Sequence, residues 1–364
     1  MDENQAAWLM GKNEILEVKA APYSHPEGNQ ILVKNHAIAL NPFDWIIQIV
    51  GNSIFRWIKY PFIIGTDVAG EVVAIGASVS RFKVGDRVLS YALGVDKDSN
   101  SAAQGAFQKY TIVLENMTAP IPTRMRFEDA AVLPLGISTA ASGMFQKDYL
   151  ALEYPKLTPS STGKTLLIWG GSTSVGSNAI QLAKAAGYTV VTTCSQKNFK
   201  YVKSLGADEV YDYHDKSALR DLTKTLEGKT VAGALAIGTG SSDACLAVLK
   251  SCSGNKFIVT HSTPVSFDSG FNLKLILKIV IATTSFRISC LLAGVRTKQV
   301  YGSGLKKNIV SKIIFEDYLP IALESGAFTP APQAKVIGAG LEFIQKGLDI
   351  QRKGVSAQKI VVTL

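Results

Sequence analysis

TLLIWGGSTSVGSNAIQLAKAAG, residues 165–187, decides the fold. Thr165–Trp169 is a short apolar run that reads as a buried strand; a turn of small residues follows, and from about Val175 to Ala186 the apolar residues recur at helical spacing. In a dinucleotide-binding fold such a turn lets backbone N–H groups approach a pyrophosphate, and the helix N-terminus offsets its charge. The spacing is Gly170-x-x-Thr173-x-x-Gly176, with threonine where the middle glycine usually stands. A glycine-rich turn alone is a weak signal, since an ordinary strand-to-helix turn has the same composition. The strand before it, the helix after it and a second strand, TVVTT at 189–193, at the expected distance raise its weight.

Toward the C-terminus, strand and helix keep alternating. A helix near Phe199–Leu205, a strand EVYDY, a helix near Ser217–Leu226, a strand AGALAIG, a helix over Asp243–Lys250 and a strand KFIVTH follow in turn. That pace gives βαβ units and a doubly wound parallel sheet. Toward the N-terminus the period changes. From about residue 14 to 120 short β-type runs (ILVKNHAIAL, FIIGTDVAGEVVAIG, DRVLSYAL, GAFQKYTIVL) are separated by Gly and Pro, which suggests a mostly β, barrel-like unit. The polar stretch TPSSTG, 158–163, reads as a hinge between the two patterns. Two more helices, Asn308–Ser325 and Gly340–Arg352, and a closing strand KIVVTL complete the chain.

The end of the second α/β strand selects the cofactor. An NAD site places Asp or Glu there for the ribose 2′-hydroxyl, and that carboxylate would repel a 2′-phosphate. Here the run is Thr192-Thr193-Cys194-Ser195-Gln196-Lys197-Asn198, with no acid until Asp208. Ser195, Lys197 and Asn198 offer neutral and cationic donors suited to a phosphate, so NADPH is expected over NADH. The plainer alternative is a polar loop that only caps the next helix.

Composition agrees with a two-domain globular chain. It has 364 residues, 47% hydrophobic and 18% charged, with Gly and Pro dispersed, which excludes a disulfide scaffold, a coiled coil and a disordered chain. The formal charge is +9, without a run of five like charges, so nucleic-acid binding is not expected. The four cysteines, Cys194, Cys245, Cys252 and Cys290, lack CxxC spacing and read as buried apolar groups in a reducing compartment. The N-terminal MDENQAAWLM has no signal pattern. Leu273–Gly294 is long and apolar, but Lys274, Lys278 and Arg287 interrupt it. A soluble cytoplasmic protein with no membrane partner is expected.

Taken together, Asn41-Pro42-Phe43-Asp44, the run Gly65–Val72 (GTDVAGEV), Val84–Val88 (VGDRV), Gly136–Ala140 (GISTA), the nucleotide turn and Gly206–Val210 (GADEV) resemble the medium-chain dehydrogenase/reductase superfamily over nearly the whole chain. Within it the chain resembles the zinc-independent quinone oxidoreductase and enoyl reductase branch. GGSTSVG, TCSQKNF and VYDY are most similar to the fungal trans-acting, lovastatin-type enoyl reductases that partner polyketide synthases. The resemblance implies a Rossmann domain, residues 145–295, inserted in a GroES-like β-barrel catalytic domain built from residues 1–144 and 296–364. It implies that Ser172, Thr173, Ser174 and Val175 line the pyrophosphate, that Ser195, Lys197, Asn198 and Tyr213 meet the 2′-phosphate, and that Thr139 meets the nicotinamide carboxamide. Val259, Thr260, Ser356 and Ala357 would complete the cofactor walls. Asp44 stands near the nicotinamide half in relatives, or is only the carboxylate that fixes a helix start.

Zinc-dependent relatives carry their catalytic ligands at positions that are Asn41 and Thr66 here, and this chain has no cysteine before Cys194. Its four histidines, His25, His36, His214 and His261, form no recognisable ligand cluster, so no metal is expected. Where fungal enoyl reductases tend to have Lys and quinone oxidoreductases Tyr, this chain has Ile46. That leaves Gln48, Tyr60 and Thr139 as weak catalytic candidates, or water as the proton source, and suggests a greasy pocket. Leu273–Ile281 and Phe286–Leu292 would wall such a pocket, or pack in the core or a dimer interface. The implied reaction is NADPH-dependent, zinc-free hydride transfer to an activated C=C of a hydrophobic small molecule or carrier-bound substrate. By the same resemblance a carrier would belong to a polyketide synthase, and its acidic domain would meet part of the basic surface, such as Lys306 and Lys307. Quinone reduction and a low-turnover NADPH-binding protein are the alternatives, with a monomer or a homodimer both open.

Overall fold

The computed structural model describes residues 3–261 and 272–364. The chain forms two compact units, one made of residues up to Ser138 with Leu305–Leu364, the other of Thr139–Gly304. The divisions at 138/139 and 304/305 differ from the 144/145 and 295/296 read from the sequence. Helix Pro134–Phe145 carries the chain through the first division without a turn, and Arg296–Gln299 is the sixth strand of the inserted unit's sheet, which pushes the second beyond it.

In the inserted unit the sheet runs Glu209–Tyr211, Thr189–Thr193, Thr165–Trp169, Thr230–Ala236, Phe257–Thr260, Arg296–Gln299, all parallel. Numbering these six in chain order, with the two-residue strand Ser253–Gly254 beside Thr230–Ala236 left aside, gives 3-2-1-4-5-6, the doubly wound order that places a ligand beyond the carboxyl ends of the strands, where the winding reverses between Thr165–Trp169 and Thr230–Ala236. Register sets those ends level: Tyr211, Thr193, Trp169, Ala236, Thr260 and Gln299 pair in one row. Leu167, Val191, Ala234 and Ile258 are fully buried in one core cluster beneath it, as expected for a sheet covered on both faces.

In the terminal unit, Gln30–Ala39 pairs antiparallel with Asp67–Ile75, with Tyr110–Leu114 and with the closing strand Gln358–Thr363. The last strand is therefore stitched to the first part of the chain, with Val361 opposite Ala39 and Thr363 opposite Ala37. Ile31, Val33, Ile38, Val68, Val72, Ile360 and Val362 close the core between these strands. Helix Pro42–Val50 leaves the end of Gln30–Ala39 through Asn41, with Pro42 at its first position, where a missing N–H costs nothing.

The expected helix Asn308–Ser325 is broken into Ile309–Lys312, a π-type segment Ile313–Tyr318 and Leu319–Ser325. The expected Gly340–Arg352 begins only at Phe343, because Gly340 sits at φ +111°.

Candidate functional site

The phosphate turn of the inserted unit leaves Trp169 at the switch point. Gly170 has φ +90°, and a Cβ there would stand 2.7 Å from the Ile237 carbonyl oxygen. At Gly176 a Cβ would meet the Gly170 carbonyl oxygen at 2.2 Å, and at Gly171 it would meet Thr192 Oγ1 at the same distance. Those glycines let the backbone fold tightly onto itself, which fits the close approach of a pyrophosphate. Thr173 takes the usual glycine position for a local reason. Its Oγ1 donates to the Gly170 carbonyl at 2.8 Å and accepts from the Gly176 N–H at 3.0 Å, so it is the N-cap of helix Ser174–Ala185. The apparent departure from the glycine pattern is thus the residue that starts the helix.

Beside this turn the predicted phosphate-selecting residues come together in part. Asn198, nearly buried, donates to Ser172 Oγ at 3.3 Å, and Ser195 Oγ lies 3.1 Å from the Tyr213 hydroxyl. Lys197 is exposed. One acid that the sequence pattern does not mark stands beside them. Asp212, just past the neighbouring strand, accepts from the Gln196 N–H at 3.3 Å and from the His214 N–H and ring, each at 2.9 Å. The hydrogen bond from the His214 backbone N–H, with those from its ring and from Gln196, holds the Asp212 carboxyl below the usual carboxylate range. Asp212 and His214 line a recess of about 500 Å³ together with Gln196 and Phe199. A carboxylate thus faces the loop where only donors were expected, and its own partners offset part of its charge.

Val259 and Thr260 close their strand in the row of strand ends, and Thr139 is half-buried on helix Pro134–Phe145. His261 follows directly. Burial pushes its pKa down to about 4, against the backbone of Ala236, Val259 and Thr139, which favours the charged form, and a Cβ on Gly143 would stand 3.6 Å from Nε2. Its place immediately after a strand end was the only signal for it in the sequence.

The terminal unit holds a second buried constellation. Asn41 Nδ2 donates to Thr66 Oγ1 at 3.0 Å and to Asp67 Oδ2 at 2.8 Å. Lys359 Nζ donates to Asn41 Oδ1 and pairs with Asp67 Oδ2 at 2.9 Å, with 4% and 0% of the two side chains exposed. Asp67 Oδ1 accepts from the Leu135 N–H at 2.6 Å. Asp44 Oδ2 accepts from the Asn41 N–H at 2.7 Å, and Oδ1 accepts from the Thr66 hydroxyl at 3.3 Å. Asp44 therefore fixes the start of helix Pro42–Val50 from its third residue.

These residues do not fit zinc. The donor set is an amide, a hydroxyl and two carboxyl groups; Asp67 is already paired with a lysine ammonium, and Asp44 is taken up by the Asn41 N–H and the Thr66 hydroxyl. Among the described residues no group of three or more His, Cys, Asp or Glu is placed to hold a metal.

Burial pushes the Asp44 carboxyl up to about 7, against the Asn41 N–H, which favours the charged form. A carboxyl raised on folding binds its proton more tightly in the folded state, so its contribution to stability is full below its ordinary 3.8 and is lost as pH climbs to about 7. Across that window the loss is on the order of 4 kcal/mol. His261 works in the opposite direction, costing stability as pH falls below its ordinary 6.5 toward about 4. The quantity to measure is therefore the difference in unfolding free energy between wild type and Asp44→Asn from pH 4 to 7. It is expected to shift steadily against wild type as pH rises. A flat difference would mean that the carboxyl is ionised throughout.

Gln48 and Tyr60 have structural partners instead of open sites. Gln48 Nε2 donates to the Glu14 carbonyl and to Gln345 Oε1, both at 2.8 Å. The Tyr60 hydroxyl accepts from the Asn52 N–H at 3.1 Å, and burial raises its pKa. Ser356 and Ala357 precede the closing strand, with Ala357 at φ +50°. Like Asp44, Gln48 and Tyr60 they belong to the terminal unit, whereas the other predicted cofactor residues belong to the inserted one. Of the expected pocket walls, Leu277, Ile281, Ile288 and Leu291 are exposed. The Lys306 and Lys307 patch is not free either: Lys306 pairs with Asp96 and Asp98, and Lys307 with Asp98.

Known proteins match the chain along its length. The family described as alcohol dehydrogenase GroES-like domain matches residues 27–123, and the one described as zinc-binding dehydrogenase matches residues 174–253. Dehydrogenase pigH of Monascus ruber is 50% identical, with 100% of each chain covered. Trans-enoyl reductase himH of Aspergillus japonicus is 37% identical, covering 99% of this chain and 97% of its own. Among solved structures, an alcohol dehydrogenase superfamily protein from Novosphingobium aromaticivorans superposes with a TM-score of 0.76 at 22% identity, covering 99% of both chains.

Proposed function

Given that the chain belongs to the medium-chain dehydrogenase/reductase superfamily and is an oxidoreductase of that type, we propose that it is an NADPH-dependent reductase that works without zinc and adds hydride to an activated C=C. The substrate class is an enoyl thioester on a carrier protein or a small enone. The observation that carries this reading is the buried Asn41–Thr66–Asp67–Lys359 network, whose Asn41 and Thr66 stand where the resemblance puts the ligands of zinc-dependent relatives. Without a Lewis acid a simple ketone or aldehyde loses its polarising group. A conjugated C=C asks less, since hydride adds at the β-carbon, the electron pair moves onto the substrate's own carbonyl, and a proton then arrives at the α-carbon. With Ile46 apolar, Gln48 and Tyr60 engaged elsewhere and Thr139 assigned to the nicotinamide carboxamide, solvent is the proton source. The 37% identity to a protein named trans-enoyl reductase supports the same class.

NADPH, when bound, supplies the hydride. Ser172 to Val175 with the glycines of the turn would hold its pyrophosphate, and Ser195, Lys197, Asn198 and Tyr213 its 2′-phosphate. Lys197 is the exposed cation of that group. Lys197→Ala is expected to weaken NADPH about tenfold, the usual loss for a hydrogen bond to a charged group, and to leave NADH within about twofold. Fluorescence titration with both cofactors checks it, and equal losses would remove Lys197 from the 2′-phosphate site. A partner carrier domain that used the Lys306 and Lys307 pair would have to compete with Asp96 and Asp98 for them.

Steady-state NADPH oxidation with an α,β-unsaturated thioester, an enone and a quinone tests the reaction. Turnover of the thioester or the enone is expected. Turnover of the quinone alone would make the protein a quinone reductase, and tight NADPH binding with no turnover of any of the three would make it a nucleotide-binding protein.

A further inference from the structure

Helix Leu273–Leu292 is apolar on two opposite faces, and only one of them is covered. Leu275 and Cys290 are buried, and Phe286 packs on the core of the inserted unit. On the other side Leu277, Ile281, Thr284, Ile288 and Leu291 follow at helical spacing. Their four apolar side chains are 58%, 59%, 52% and 78% exposed, and Leu292 beside them is 84% exposed. A soluble helix normally turns such a face inward.

Charge frames the exposed strip. At about 100° per residue, Lys274 and Lys278 fall along one edge of the strip and Arg287 along the other. No ion pair involves any of the three among the described residues. No acidic residue occurs between Asp268 and Glu316, a stretch with eight Lys and Arg, so almost the whole +9 excess of the chain arises there. A second copy of this helix would bring cations against cations, which opposes self-pairing.

Length and composition alone would let Lys274–Leu292 cross a membrane, at a mean hydropathy of 1.8. The packing opposes crossing. Cys290 is held in the core, and shortly after Leu292 the chain enters Arg296–Gln299, which pairs with Phe257–Thr260 in the sheet. A helix anchored along one side is suited to lie on a bilayer.

We propose that the outer face of this helix docks the protein on anionic phospholipid bilayers. The helix lies in the plane of the headgroups. Leu277, Ile281, Ile288 and Leu291 enter the acyl boundary, and Lys274, Lys278 and Arg287 extend their stems along it to reach lipid phosphates. Along the sequence these three cations break an apolar run and argue against a membrane span. Placed at the edges of an exposed strip, they strengthen surface binding.

Flotation of the purified full chain with vesicles tests this. The expected result is binding to equimolar phosphatidylserine and phosphatidylcholine, weakened by salt, and no binding to phosphatidylcholine alone. K274Q/K278Q/R287Q should weaken partitioning on the order of 100-fold, and L277E/I281E/I288E should abolish it. Both sets change exposed side chains and should keep the wild-type melting temperature. If the glutamate variant fails to fold, the glutamine variant decides. Absence of binding to the mixed vesicles, or partitioning that the neutralised variant retains in full, overturns the proposal. So does sedimentation showing a dimer that the glutamate variant dissolves while vesicles are ignored.

Discussion

Lys359→Met is expected to destabilise the terminal unit by about 3–5 kcal/mol, the cost of leaving a buried charge without its partner. Lys359 is the cation facing Asp67, and both are almost fully shielded from water. Removing the ammonium leaves the Asp67 carboxylate, among the described residues, with the Asn41 amide and the Leu135 N–H, and takes from Asn41 Oδ1 its lysine donor. Chemical denaturation followed by tryptophan fluorescence reports on this unit, because Trp8, Trp45 and Trp57 lie in it and only Trp169 lies in the other. Asp67→Asn should cost a comparable amount. The double variant should cost clearly less than the two singles together, since neither charge is then stranded. A loss below about 1 kcal/mol for Lys359→Met would show that the pair does not hold the network together.

Gly176→Ala should reduce NADPH affinity on the order of 100-fold with the protein still folded, because a displacement of about an ångström at a positioning element costs that much. The new Cβ would stand 2.2 Å from the Gly170 carbonyl oxygen and 2.8 Å from Gly171 Cα. Both are backbone atoms of the turn itself, so relief requires the helix start to move away from the strand end. Isothermal titration with NADPH, alongside a thermal melt, separates lost binding from lost fold. Thr173→Ser keeps the capping hydroxyl and should bind within about twofold of wild type, whereas Thr173→Val loses a cap of about 1 kcal/mol. Unchanged affinity in Gly176→Ala would mean that this turn does not carry the pyrophosphate.

The strand, turn and helix around residues 165–187 were legible in the sequence because each depends on neighbours close in the chain. Thr165–Trp169 and Ser174–Ala185 lie where the apolar spacing put them. The role of Asp44 at the helix start was also legible as one of two alternatives, since a carboxylate reaching back three residues is a local interaction. Thr173 could be read only as a missing glycine. Its hydrogen bonds to Gly170 and Gly176 explain the substitution.

Asp212 escaped because its approach to Gln196 depends on two parallel strands, paired Thr193 to Tyr211, being laid side by side. A rule that searches for an acid only at the end of its own strand cannot see it. The outward-facing strip on Leu273–Leu292 escaped for a related reason. An apolar pattern says which residues avoid water, but it does not say whether the rest of the fold supplies enough surface to cover both faces.

The sequence by itself therefore determined the order of the βα units, the place of the phosphate turn and the absence of cysteine where a metal site would need it. Tertiary structure alone decided what sits there instead. Lys359 is 318 residues from Asn41, and the pairing of the closing strand with Gln30–Ala39 brings it to that end of the sheet. Backbone periodicity and turn geometry are set by short-range sterics and hydrogen bonds. Neutralising a buried carboxylate is a through-space requirement, and the register of distant strands chooses the residue that meets it.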